Sequence, residues 1–219
     1  MERRKLLITG CGRSGTMYAS EVWKTQGLEI THENPLPPNG CMGRDGIASW
    51  YMAVNDPDPP FGPSASAYAF DFVIHQVRDP LKVIASVAQF ILRDRRSRDY
   101  IERNAPATRL THPERSLPRR DRLLLQAARY WYYWNLISEQ KASMTIQVEH
   151  LTASLERLCR FLEVTYKPDV AELVSRNIHG RNLYIDEPYW EIGWKDIARI
   201  DAEITEKIKE LARSYGYLG

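Results

Sequence analysis

The feature that most narrows what this chain can fold into lies within its first sixteen residues. Lys5 to Thr9 is a short apolar run, Lys-Leu-Leu-Ile-Thr, that reads as a buried strand and passes directly into Gly10-Cys11-Gly12-Arg13-Ser14-Gly15-Thr16. Beyond Thr16 the residues Tyr18, Val22 and Trp23 recur at helical spacing, and the pattern stops before Gly27. A strand, a glycine-bearing turn and a helix in immediate succession begin a βαβ unit, and such units build parallel sheets.

The alternation continues along the chain. Leu28 to His32 reads as a second short strand, and the prolines of Asn34 to Gly40 make a loop. The spacing of Ile47, Trp50, Tyr51 and Val54 predicts a helix over Arg44 to Val54, before a second breaker-rich connection at Pro57 to Pro63. Asp71 to Val77 is the clearest buried strand, and a helix follows from Leu81 to about Leu92. Residues 93–122 hold ten arginines, five acids and three prolines, and read as a long loop, a mobile lid or short broken helices on the surface. Arg119 to Gln140 predicts a long helix, Met144 to Val148 a fourth strand and Leu155 to Leu162 another helix. Ile197, Ile200, Ile204, Ile208 and Leu211 mark one terminal amphipathic helix. The expectation is a single α/β domain over 1–219, a three-layer sandwich with a central parallel sheet of four to five strands.

Bulk properties remove several function classes. At 219 residues the chain is long enough for one full hydrophobic core. A net charge of +2 does not point to nucleic acid, although local basic patches suit a small anion. The apolar run after Lys5 is too short for a signal-peptide core and no stretch approaches a membrane span, so the expected location is the cytoplasm. Cys11, Cys41 and Cys159 stand at unrelated spacings, which gives neither a disulfide framework nor a zinc site, and no metal is expected.

The first helical amides of any helix have no intrahelical acceptor, and the helix dipole places partial positive charge there. The turn after the first strand is therefore an anion site made from backbone, and its glycines let that backbone approach a ligand. Gly10, Gly15 and Thr16 nearly have the spacing of a Walker A loop. The lysine that would stand between Gly15 and Thr16 to reach the β- and γ-phosphates of a nucleoside triphosphate is missing, and the cation is Arg13. A second strand-to-helix passage occurs at Val77-Arg78-Asp79-Pro80, where Pro80 suits the first turn, Asp79 a cap and Arg78 a phosphate-binding fork. The plainer readings are a structural turn at the first site and an Arg78–Asp79 ion pair at the second.

Arg13-Ser14-Gly15-Thr16, followed by Arg78-x-Pro80 with Ser86 eight residues after the arginine, resembles the sulfotransferases that use 3′-phosphoadenosine-5′-phosphosulfate (PAPS). With His32-Glu33, Met42 to Gly46 and Ser49-Trp50-Tyr51 the chain looks like a small bacterial-type branch, and the resemblance runs over residues 5–54 and 70–92. It implies a P-loop NTPase-like fold, PAPS as co-substrate, 3′,5′-adenosine bisphosphate as product and no metal. It further implies that the amides of Gly12, Arg13, Ser14, Gly15, Thr16 and Met17, with the Ser14 and Thr16 hydroxyls, grip the 5′-phosphate. Arg13 would sit over the sulfuryl group and bridging oxygen, and Arg78 and Ser86 would bind the 3′-phosphate. Family members close over the adenine with a basic, glycine-containing loop, for which Asn177 to Trp194 is the candidate, with Arg181, Tyr184, Trp190 and Trp194 in reach; the usual Arg-Lys-Gly triplet is absent.

In-line sulfuryl transfer also needs a base for the acceptor proton. Family members use a histidine or a glutamate near the end of the second strand, where this chain has His32 and Glu33. Adjacent strand residues face opposite ways, so one of the two serves; Glu33 is expected, with His32 as runner-up. The acceptor is expected to be a hydroxyl, less so an amine, of a small molecule or carbohydrate, in a pocket built from 34–64 and 93–122. His75 is expected to be a satisfied core histidine, and the cluster from Tyr130 to Trp134 to be core and cleft wall together. Two other classes stay open: a P-loop kinase using Mg-ATP, with Glu149 as its one candidate metal ligand, and a non-catalytic nucleotide-binding protein of the same fold.

Overall fold

The computed structural model describes residues 1–33, 42–110, 114–168 and 190–218. Its centre is a sheet of five strands, β1 (Glu2–Thr9), β2 (Ile30–His32), β3 (Gly46–Ala48), β4 (Tyr68–Val77) and β5 (Met144–Gln147), in the order β2-β3-β1-β4-β5. Every pairing is parallel. The chain leaves β1 toward one edge, where it forms β2 and β3, and then crosses to the other side for β4 and β5. The direction of travel therefore reverses at β1. In open parallel sheets the crevice at such a switch point, outside the carboxyl ends of the strands, is where ligands bind.

The period-two alternation of the strands divides the core between two faces. Leu6 and Ile8 pack with Val22 and Trp23 of α1 (Thr16–Thr25) and with Leu155 and Leu158 of α5 (Leu155–Phe161). Leu7 points the other way, into a larger cluster with Val83 and Val87 of α2 (Pro80–Gln89), Tyr100 of α3 (Arg95–Asn104) and Trp134 of α4 (Arg119–Gln140). Ile197 of α6 (Trp194–Ile200) and Ile208 of α7 (Ala202–Ser214) extend that cluster. Helices thus cover both faces of the sheet, giving the expected three-layer α/β architecture. Trp23, Trp131 and Trp134 are fully buried, and each such side chain contributes on the order of 2–3 kcal/mol through the apolar surface it removes from water.

Two segments differ from the sequence expectation, and a third takes one of the forms that expectation left open. Arg44 to Val54 is not a helix: Gly46–Ala48 is a strand held between β1 and β2, and Tyr51–Ala53 is a single 3-10 turn. Ile47 and Ala48 face opposite cores, so apolar spacing that fits a helix is satisfied here by a strand followed by a turn. The arginine-rich segment contains α3, a 3-10 turn at Pro106–Thr108 and the start of α4, so short helices are what its sequence forms. Asp94 starts α3 by accepting from the Ser97 amide at 2.7 Å. The terminal helix is two helices, because Asp201 leaves helical geometry and caps α7 through the Ile204 amide at 3.0 Å. Among the described residues no helix is long and apolar enough to cross a membrane.

Candidate functional site

The loop that follows β1 is pinned against β4. A Cβ on Gly10 would stand 2.1 Å from the Gln76 carbonyl oxygen, so only glycine allows this approach. Gln76 reaches back, its Nε2 donating to the Ser14 carbonyl at 2.9 Å. Arg13 (φ 72°) and Gly15 (φ 93°) are both left-handed, a conformation that an arginine adopts at a cost of about 1 kcal/mol. Left-handed residues in a tight turn bring successive backbone N–H groups onto one concave side, a geometry that receives anions. Gly15 precedes α1 without any side-chain cap, and the first turn of α1 carries no acid. Ser14 Oγ, Thr9 Oγ1 and Gln76 Oε1 are buried without a hydrogen-bond partner among the described residues. All three belong to this loop or to the ends of the strands beside it, and buried polar groups left over at a strand end are those a ligand satisfies.

The two motifs singled out in the sequence meet here. Arg13 Nε donates to Ser86 Oγ at 2.8 Å, and its guanidinium lies over the Phe90 ring with 5.2 Å to the centroid. Arg78 Nη1 donates to the Arg13 carbonyl at 3.3 Å. The Gly12 amide donates to the Tyr130 hydroxyl at 2.9 Å, which ties the loop to α4. Burial pushes both the Tyr130 hydroxyl and the Cys11 thiol well up from their ordinary values, so both stay protonated at neutral pH.

His32 and Glu33 part company at the end of β2, as strand alternation requires. His32 Nε2 shares a hydrogen bond of 3.0 Å with Thr16 Oγ1 at the start of α1. Glu33 turns to the other side, where its carboxylate accepts from the Trp50 amide at 2.7 Å. Burial pushes the Glu33 carboxyl up to about 7, against the opposing pull of the Trp50 amide, the neighbouring Ser49 hydroxyl and the Arg13 charge. A carboxyl so placed is divided between its acid and base forms near neutrality, which is the condition for efficient proton transfer. Trp50 is held in turn by Trp134, whose indole Nε1 donates to the Trp50 carbonyl at 3.1 Å.

Other expected residues fall elsewhere. Residues 177–189 of the candidate closing loop lie outside the described residues, as do 34–41 and 111–113 of the acceptor segments. Trp190 donates its amide to Gln89 Oε1 at 2.9 Å and carries Arg120 over its ring at 5.3 Å, while Trp194 opens α6. His75 is a satisfied core histidine: its ring nitrogens meet Thr145 Oγ1 and Asn135 Oδ1, and burial lowers its pKa. Glu149 has both carboxylate oxygens engaged, by the Asp79 amide and the Tyr217 hydroxyl. The sequence reading does not single out Gln76, near the end of β4, and takes Tyr130 as core and cleft wall without a role for its hydroxyl. A polar pair, His75-Gln76, directly after Phe72-Val73-Ile74 is the legible signal for the first; nothing local marks the second.

No known protein family matches this chain, and no curated protein matches it.

Proposed function

We propose that this chain transfers a sulfuryl group from PAPS to an acceptor hydroxyl. The observation that carries the reading is the hydrogen bond between Arg13 and Ser86, which joins two motifs 73 residues apart at one place. Around it stand the features that a 3′,5′-bisphosphorylated donor calls for. The uncapped amino end of α1, with Thr16 and a Ser14 hydroxyl that has no partner among the described residues, suits the 5′-phosphate. Arg78 and Ser86 suit the 3′-phosphate. Arg13 is placed to offset charge on the oxygen that leaves sulfur, and charge stabilisation of that kind is the protein's main task in such transfers. As the acceptor oxygen bonds to sulfur and the sulfur–oxygen bond to the donor phosphate breaks, Glu33 takes the acceptor proton. Glu33 is buried within reach of the Arg13 charge, and that favours the glutamate as base, with His32 positioning Thr16. Both a triphosphate-using kinase and a non-catalytic binding protein are weakened by specific features: the loop has no lysine, Glu149 is already engaged, and Glu33 is tuned for proton transfer.

Thermal unfolding tests the donor. Adenosine 3′,5′-bisphosphate is expected to raise the melting temperature and Mg-ATP is not; stabilisation by Mg-ATP alone sinks the reading. Transfer from labelled PAPS across a panel of hydroxyl acceptors tests the base. The rate should rise with pH to a midpoint of about 7, as Glu33 loses its proton. Glu33→Gln should lower the rate about 10²–10⁴-fold while leaving bisphosphate affinity unchanged. Undiminished transfer in the variant assigns the proton to another group.

A further inference from the structure

The turn between β4 and α2 is restrained from two directions. Asp79 Oδ1 accepts from the Leu81 amide at 2.9 Å and the Lys82 amide at 3.2 Å, while the Asp79 amide donates to Glu149 Oε1 at 3.2 Å. Glu149 belongs to the 3-10 turn Val148–His150 that follows β5, and its Oε2 accepts from the Tyr217 hydroxyl at 2.7 Å. Tyr217 lies in the segment after α7, which is fastened to β5 by Gln147 Nε2 donating to the Tyr215 carbonyl at 2.6 Å. Burial raises the Tyr217 hydroxyl, the Glu149 and Asp79 carboxylates add to the rise, and Arg78 opposes it. The Asp79 amide is the N–H of the peptide that joins it to Arg78, so the Glu149 carboxylate is held one peptide unit from Arg78. A carboxylate beside a guanidinium has a strong alternative partner, since the paired geometry of the two groups is the best-matched ion pair available to a side chain. A Glu149–Arg78 pair would take the guanidinium that a 3′-phosphate needs.

We propose that Tyr217 is a positioning residue for donor binding: it holds Glu149 on the Asp79 amide and off the Arg78 guanidinium, which leaves Arg78 open to the 3′-phosphate. The proposal rests on the donor reading above. Tyr217 acts only through Glu149, so its effect is confined to ligands that carry the 3′-phosphate, whereas general loosening of the fold would weaken every ligand.

Calorimetric titration with adenosine 3′,5′-bisphosphate and with adenosine 5′-monophosphate, which lacks the 3′-phosphate, tests this. Tyr217→Phe removes one oxygen from a partly buried site and should weaken the bisphosphate about tenfold, with the monophosphate unchanged. Adding Glu149→Gln to that variant removes the competing charge and should restore bisphosphate affinity. Equal losses for both nucleotides, no loss for either, or failure of the double variant to recover would each overturn the role of Tyr217. A wild-type chain that does not prefer the bisphosphate over the monophosphate fails at an earlier point, taking the donor reading down together with the proposal.

Discussion

At the β4–α2 junction the first helical amides are taken by Asp79, whereas at the β1–α1 junction Gly15 brings no side chain to the helix that follows it. The two turns stand side by side on neighbouring strands, and each passes from a carboxyl strand end straight into a helix. One is closed by its own sequence: an aspartate cap, a proline in the first turn and a carboxylate behind the Asp79 amide. The other stays open, with two left-handed residues and buried hydroxyls that no atom of the described residues satisfies. A closed junction presents side chains from a fixed backbone, here the Arg78 guanidinium. An open one presents the backbone itself. The difference explains why glycine is needed at the first turn and is absent from the second.

The contrast can be broken most severely at Gly10. Gly10→Ala places a methyl group 2.1 Å from the Gln76 carbonyl, and neither strand can retreat without parting β1 from β4. Chemical denaturation should show a loss on the order of 3 kcal/mol, and a loss below 1 kcal/mol would mean that the close approach is dispensable. A smaller effect is expected at the closed junction. Asp79→Ala frees the Leu81 and Lys82 amides and should cost about 1 kcal/mol in the ligand-free chain. Full stability in that variant would remove the distinction between a capped and an uncapped turn.

Much of this architecture was legible because strands and helices carry different apolar periods. The boundaries of α4 follow directly from Pro118 and the loss of apolar spacing after Gln140, while Phe72-Val73-Ile74 marks β4 but not its start at Tyr68. The stretch from Arg44 to Val54 was not, since Ile47, Trp50, Tyr51 and Val54 satisfy a helical stripe equally well. The choice was made by the hydrogen-bonding edges of β1 and β2, which no local pattern records. Within the site, Arg13 and Arg78 were readable from strand-to-helix context, and Ser86 only through the resemblance, by its spacing from Arg78. The amide of Gln76, the hydroxyl of Tyr130 and the contact of Tyr217 with Glu149 were not, because each joins the site from a different element across a long stretch of sequence.

The strand order also has a bearing on how the chain acquires its site. β1 pairs with β3 and β4 and not with β2, the strand that follows it in sequence. A nascent chain that has made β1, α1 and β2 holds its loop with no neighbour on either side, and must wait for β3 and then β4 before the central strand is flanked. Non-local pairing of this kind slows folding and leaves an early strand exposed while the rest is synthesised. The loop after β1 consequently cannot take this form as an autonomous fragment. Gly10 finds Gln76 only once β4 has joined β1, and Arg13 finds Ser86 once α2 has followed it.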